Sequence, residues 1–86
     1  MEIQDLKLDG NAIGGMLIEL FGSDLTGHLS VCAGCGAHEE VARLDVYRGA
    51  GIVVRCCHCE AVMIRIVEGR GRTWVDLSGI ATLELG

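Results

Sequence analysis

The stretch that decides the fold runs from residue 32 to residue 59: CAGCGAHEEVARLDVYRGAGIVVRCCHC. It opens on Cys32-Ala33-Gly34-Cys35-Gly36 and closes on Cys56-Cys57-His58-Cys59, with residues 36–55 between the two cysteine pairs. A two-residue gap folds into a tight turn that aims both sulfurs at one point. Two such turns, brought together by a hairpin, set four sulfurs around a tetrahedral ion, each about 2.3 Å from it. The intervening segment reads as that hairpin. Val41, Leu44, Val46 and Tyr47 mark one strand over Val41–Tyr47, Gly49-Ala50-Gly51 a turn, and Ile52-Val53-Val54 a β-branched run that leads into Cys56. Gly34 and Gly36 are expected to give the first turn its backbone freedom. The expected ligand set is Cys32, Cys35, Cys56 and Cys59, holding one Zn²⁺.

The second turn offers alternatives. Cys57 and His58 could each replace a neighbour, but the regular set repeats the spacing of the first turn, and ligation by adjacent residues strains a turn. Cys57 is then expected as a buried small hydrophobe, with a redox-sensitive thiol beside the metal as the functional alternative. His28, His38 and His58 are expected as surface or outer-layer groups, with His38 placed to donate toward a sulfur. Iron is the rival metal, because four thiolates in two turns also describe rubredoxin-like sites. Such sites are packed with aromatics and prolines, whereas this chain has Phe21, Tyr47 and Trp74 as its aromatics and no proline. Zinc is therefore expected.

Four cysteines close the metal's shell, and a catalytic zinc keeps one position open. Glu39-Glu40 reads as a solvated loop, and no nucleophile–base arrangement or phosphate-cradling loop stands out, so no enzyme is expected.

Working outward, 86 residues make one domain, 1–86, close to the size at which an apolar core needs a staple. The fold expected is a small, metal-bound, β-rich α+β domain: a helical N-terminal part, 1–24, then an antiparallel zinc-ribbon-like sheet over 25–86. Ile3, Leu6 and Leu8 alternate as in a short strand or extended arm. Asp9 or Asn11 can cap a helix. Ile13, Met16, Leu17, Leu20 and Phe21 make one apolar stripe at helical spacing, and Gly22 suits the residue just past its end. Gly14 and Gly15 inside the helix are expected to let it lie close on the sheet. Further strands are expected over Leu25–Val31, Ala61–Val67, Thr73–Leu77 and Ile80–Leu85. The connections are too short for crossovers, so pairing should be antiparallel.

The formal net charge is −5, and four thiolates with one Zn²⁺ would add about two more negative charges. Phosphate backbones repel such a domain, which disfavours nucleic acid as a partner. Arg70, Arg72 and Trp74 on one turn, with Arg65 along the same hairpin, form a basic tip in which Trp74 is expected to cap the core. No basic-then-apolar leader opens the sequence and the cysteine count is odd, so a cytoplasmic location with reduced thiols is expected. The function expected is a non-enzymatic, zinc-stabilised module that binds a protein partner or itself. A nucleic-acid-binding ribbon and a thiol switch that releases zinc on oxidation are the alternatives.

Leu8-Asp9-Gly10-Asn11, Cys32-Ala33-Gly34-Cys35-Gly36, the Cys56–Cys59 turn and Gly71-Arg72-Thr73-Trp74-Val75-Asp76-Leu77 together resemble a family of short, uncharacterised bacterial proteins, typical of actinobacteria. The resemblance covers nearly the whole chain. It implies a zinc-ribbon-like cysteine site and a cytoplasmic bacterial setting, and it implies no activity. The family's usual second turn reads Cys-Pro-x-Cys, and this chain carries Cys57 in place of the proline.

Overall fold

Asp9 organises the start of the chain. In the computed structural model, which describes residues 7–85, its side chain accepts from the Asn11 N–H at 3.1 Å. That bond caps a 3-10 turn, Gly10–Ile13, which runs directly into helix α1, Gly14–Phe21. The helix ends where Gly22 takes φ +80° and returns its N–H to the Ile18 carbonyl at 2.8 Å. The helical stripe is only partly buried: Ile13 and Leu17 are in the core, Met16 and Leu20 pack against it, and Phe21 stays exposed.

Eight strands follow the expected antiparallel logic among the described residues. They are β1 (Lys7–Asp9), β2 (Leu29–Cys32), β3 (His38–Glu40), β4 (Asp45–Arg48), β5 (Ile52–Arg55), β6 (Val62–Gly69), β7 (Arg72–Asp76) and β8 (Ile80–Leu83). They form two sheets, one in the order β1-β4-β5-β6-β7 and one in the order β3-β2-β8.

Several expectations change here. The chain does not run from a helical part into one sheet, because β1 precedes the helix and pairs with β4 in the larger sheet. The expected arm over residues 1–8 otherwise lies outside the described residues. Residues 25–28 are not strand: Leu25 is buried, and a turn brings the His28 N–H to its carbonyl. Val41–Arg43 is a 3-10 turn, so the expected Val41–Tyr47 strand begins only at Asp45. Glu39 and Glu40, read as a loop, lie in β3. Residues 80–83 close the smaller sheet on β2 and not the larger one.

Glycines at two contacts explain why the layers fit. A Cβ at Gly10 would overlap the Val41 carbonyl, and one at Gly79 would overlap the Val62 carbonyl. At each place one segment crosses another backbone with no room for a side chain. Gly15, by contrast, faces open space, and a Cβ at Gly14 would meet only Thr26 at ordinary contact distance, so neither glycine is needed for close packing of the helix.

The larger sheet has two unlike faces. Val46, Val54 and Ile64 stand opposite one another in register and are buried, as are Ile52 and Ile66. This is the core face, and Arg48 ties it to the 3-10 turn through the Ala12 carbonyl at 3.0 Å. On the other face Tyr47, Val53 and Arg65 line up in register, with Val67 and Trp74 paired two residues on. Trp74 is 55% exposed, so it does not cap the core. Its position in β7 alternates with Val75, which packs toward the core, and its ring leans over Gly69. Among the described residues no helix is long and apolar enough to cross a membrane.

Candidate metal centre

The two cysteine turns are built alike, although they belong to different sheets. The first follows β2 of the smaller sheet, and the second joins β5 to β6 of the larger one. A register irregularity precedes each, between Val31 and Cys32 and between Val54 and Arg55. Such irregularities re-aim the next side chain. In the first turn the Cys32 N–H donates to the Ala37 carbonyl at 3.0 Å, and the Gly36 N–H to the Cys32 carbonyl at 2.9 Å. In the second, the Cys56 N–H donates to the Ala61 carbonyl at 2.9 Å, and the Glu60 N–H to the Cys56 carbonyl at 3.0 Å.

The turns bring all four expected sulfurs together. Cys32 Sγ lies 3.6 Å from Cys59 Sγ, and Cys35 Sγ lies 3.7 Å from Cys56 Sγ. All four sulfurs are within 4.8 Å of one another. A tetrahedron of sulfurs about 2.3 Å from a central ion has edges of about 3.8 Å, so the cluster has the size of a tetrathiolate site. It is too open for disulfides, whose bond is about 2.05 Å, and all five cysteines are free thiols. Cys32 and Cys56 are buried, and Cys35 and Cys59 exposed, so each turn offers one inner and one outer sulfur.

Backbone donors prepare the inner sulfurs for negative charge. The Gly34 N–H donates to Cys32 Sγ and the His58 N–H to Cys56 Sγ, each at 3.3 Å. The Cys35 N–H beside Cys32, with that of Gly34, outweighs burial and holds the Cys32 thiol down to about 7. At Cys35 the Ala37 N–H favours the thiolate, but burial and the sulfurs of Cys59, Cys56 and Cys32 outweigh it and push this thiol up to about 12. Four sulfurs this close resist becoming four thiolates unless a cation joins them.

Two roles differ from expectation. Gly34 is not needed for a left-handed backbone, which only Gly36 adopts in that turn, at φ +76°. A Cβ at Gly34 would stand 3.4 Å from the Ala61 Cβ and 3.6 Å from both Cys32 Sγ and Cys59 Sγ, so Gly34 keeps the space beside the sulfurs clear. His38 is exposed in β3, while the bonds to sulfur come from the backbone.

Around the sulfurs lies a group that the spacing of the cysteines does not reveal. Glu39 reaches from β3 to the second turn, where its Oε1 lies 2.8 Å from His58 Nε2. Cys57 sits beside them and is exposed, so it is no buried hydrophobe. Burial of the sulfur, then the nearby Glu39 carboxylate and Cys56, raises the Cys57 thiol above its ordinary value. His28 is engaged elsewhere, with Nδ1 2.6 Å from the Glu84 carbonyl. Arg70 and Gly71 both take positive φ at the tip of the β6–β7 hairpin, and Arg72 follows at the start of β7. That tip is far in sequence from both cysteine turns and contributes no ligand to the cluster.

The chain belongs to a family of unknown function, DUF6510, whose profile matches residues 3–86. No curated protein and no solved structure matches it.

Proposed function

We propose that this chain is a non-enzymatic, zinc-ribbon-type module whose open sheet face docks a protein partner. One Zn²⁺ held by Cys32, Cys35, Cys56 and Cys59 would join the two sheets and fix their relative placement. Zinc is favoured over iron because rubredoxin-like sites are packed with aromatics and prolines, whereas this chain has three aromatics and no proline. A structural zinc contributes roughly 10–16 kcal/mol in small peptides at neutral pH, enough to decide whether a domain of this size folds.

The observation that carries the docking is the solvent face of the larger sheet. Trp74, Val67, Val53 and Tyr47 form an apolar and aromatic strip, with Arg65 in register between Val53 and Asp76 and with Arg55 stacked 6.0 Å from the Tyr47 ring. By strand alternation Arg72 shares this face. Arg55, Arg65 and Arg72 therefore stand on this face together with Asp9, Asp45 and Asp76, so the arginines are concentrated here in a chain whose net charge is −5. Interface cores are enriched in aromatics and arginine, which favours a partner surface with apolar side chains of its own and acceptors for the arginines.

Trp74 is the chain's one tryptophan, so its fluorescence reports this face alone. The expected result is a protein partner that binds the zinc-loaded chain, shifts Trp74 emission, and is lost on Trp74→Ala with metal content unchanged. Equal binding by both proteins would sink the reading. The same face also suits stacked bases with phosphates on the arginines. That second reading predicts that a single-stranded oligonucleotide quenches Trp74, steeply less so as salt rises.

A further inference from the structure

We infer that Glu39, Cys57 and His58 form a second, open metal site, distinct from the four-cysteine cluster and suited to a borderline divalent ion such as Zn²⁺ or Co²⁺. The Glu39 carboxylate, the Cys57 sulfur and a His58 ring nitrogen all lie within 4.8 Å of one another. Donors held about 2.0–2.3 Å from one ion are separated by about 3.3–3.6 Å, so side-chain adjustments of about an ångström bring the three around a metal.

A bare hydrogen bond between His58 and Glu39 accounts for two of these groups and leaves the thiol out. Ligation by adjacent residues strains a turn, but here the Cys57 and His58 donors already stand within 4.8 Å of each other and of the same carboxylate, so the fold itself holds most of that arrangement before any ion binds. The convergence is imposed from both sheets. Glu39 is in β3, where Ser30 Oγ donates to its backbone carbonyl at 2.9 Å from a fully buried position. Cys57 and His58 are in the turn between β5 and β6, where the His58 N–H is engaged by Cys56 Sγ. Glu39 is half-buried, while His58 and Cys57 are exposed residues.

The donor set selects the ion. One thiolate, one imidazole and one carboxylate are the ligands of zinc and cobalt, and three protein ligands leave a coordination position for water or another donor. The local charge points the same way. A zinc in four thiolates leaves about two negative charges, and the Glu39 carboxylate stands beside that turn, so a further divalent ion meets negative surroundings. Binding releases the Cys57 proton to solvent.

The test is native mass spectrometry with Co²⁺ spectroscopy on the full chain already carrying one zinc. The expected result is one Co²⁺ bound per chain in addition to the zinc, with a sulfur-to-cobalt charge-transfer band. Cys57→Ser should abolish the band. His58→Ala and Glu39→Gln should each weaken Co²⁺ binding at least about tenfold, the lower end of what even an outer-layer partner costs. All three variants should retain the first zinc, which separates failure of this site from failure of the four-cysteine cluster. His38→Ala, a change at an exposed histidine on the same strand as Glu39, should leave Co²⁺ binding unchanged. No second ion at saturating Co²⁺, an undiminished band in Cys57→Ser, or equal loss in His38→Ala would each overturn the inference.

Discussion

Gly36 and Glu60 occupy the same place in the two cysteine turns: each follows its first cysteine by four residues and donates its N–H to that cysteine's carbonyl, at 2.9 and 3.0 Å. Each also has a left-handed backbone, with φ +76° and +63°. Glycine adopts that conformation freely, whereas a residue with a Cβ gives up about 1 kcal/mol or more. Arg55 helps hold the strained residue, donating from Nη1 to the Glu60 carbonyl at 2.8 Å. Glu60→Gly should therefore stabilise the metal-loaded protein by roughly 0.5–1 kcal/mol after allowing for glycine's greater freedom when unfolded, read as a rise in Tm. Glu60→Val, with a β-branched side chain in the same conformation, should lower Tm. A fall in Tm for Glu60→Gly would show that the side chain contributes more than the backbone strain costs.

Glycines that the sequence makes look alike should behave in opposite ways. Gly10→Ala and Gly79→Ala place a methyl group against the carbonyls of Val41 and Val62, which cannot withdraw without moving a backbone segment. Each should cost about 2–3 kcal/mol or more. Gly15→Ala adds a methyl on an exposed helical position with nothing within 4 Å, and should gain up to about 1 kcal/mol from helix propensity. Urea unfolding of the three variants checks the contrast, and similar midpoints for all three would contradict the crossings at Gly10 and Gly79.

The cysteine cluster was legible because spacing in the chain translates directly into geometry: a two-residue gap makes a turn, and the run from Asp45 to Arg55 makes the hairpin that carries the second one. Strand type was legible for the same reason at β5, β6 and β7. The division into two sheets was not, because nothing local in residues 80–83 says whether they pair with β7 or with β2. Trp74 misled in a different way. Alternation with Val75 was visible, but which of the two faces the core depends on where the helix and the 3-10 turn pack, which is a long-range fact. Glu39 was hidden because a charged pair reads as solvated loop until its partner, His58, is placed 19 residues away. For the same reason Gly10 and Gly79 carried no sequence signal beyond being glycine.

Metal affinity should depend on pH with a break near neutrality. The ion needs thiolates, so it competes with protons. Cys32, held at about 7, is already ionised above that pH and must lose a proton to the metal below it. Cys35, pushed up to about 12, gives up a proton over the whole range below that value. Cys32 therefore adds one proton to the competition below 7, so affinity should fall about tenfold more steeply per pH unit below 7 than above it. Competition against a chelator of known affinity, taken from about pH 5.5 to 8.5, measures the slope. A slope that does not steepen below 7 would show that the backbone donors around Cys32 fail to favour its thiolate.

Removing the metal should not loosen the protein evenly. The larger sheet brings Val46, Ile52, Val54, Met63, Ile64 and Ile66 to the buried core. The smaller sheet contributes only Ser30 and Cys32 as fully buried residues, with Ile80 and Leu83 partly covered. Its attachment therefore leans on the sulfur cluster, on the crossing of Gly79 over β6, and on the Glu39–His58 contact. Chelation should expose the amides of β2, β3 and β8 to hydrogen exchange well before those of β4, β5 and β6. Cys35→Ser should give the same pattern at lower chelator concentration, because it removes an exposed ligand without opening a cavity in the core. Simultaneous loss of protection in both sheets would mean that the ion is required for the whole fold. Unchanged protection in the smaller sheet would mean that its strand pairing holds without the metal, and that the four sulfurs serve something other than joining the two sheets.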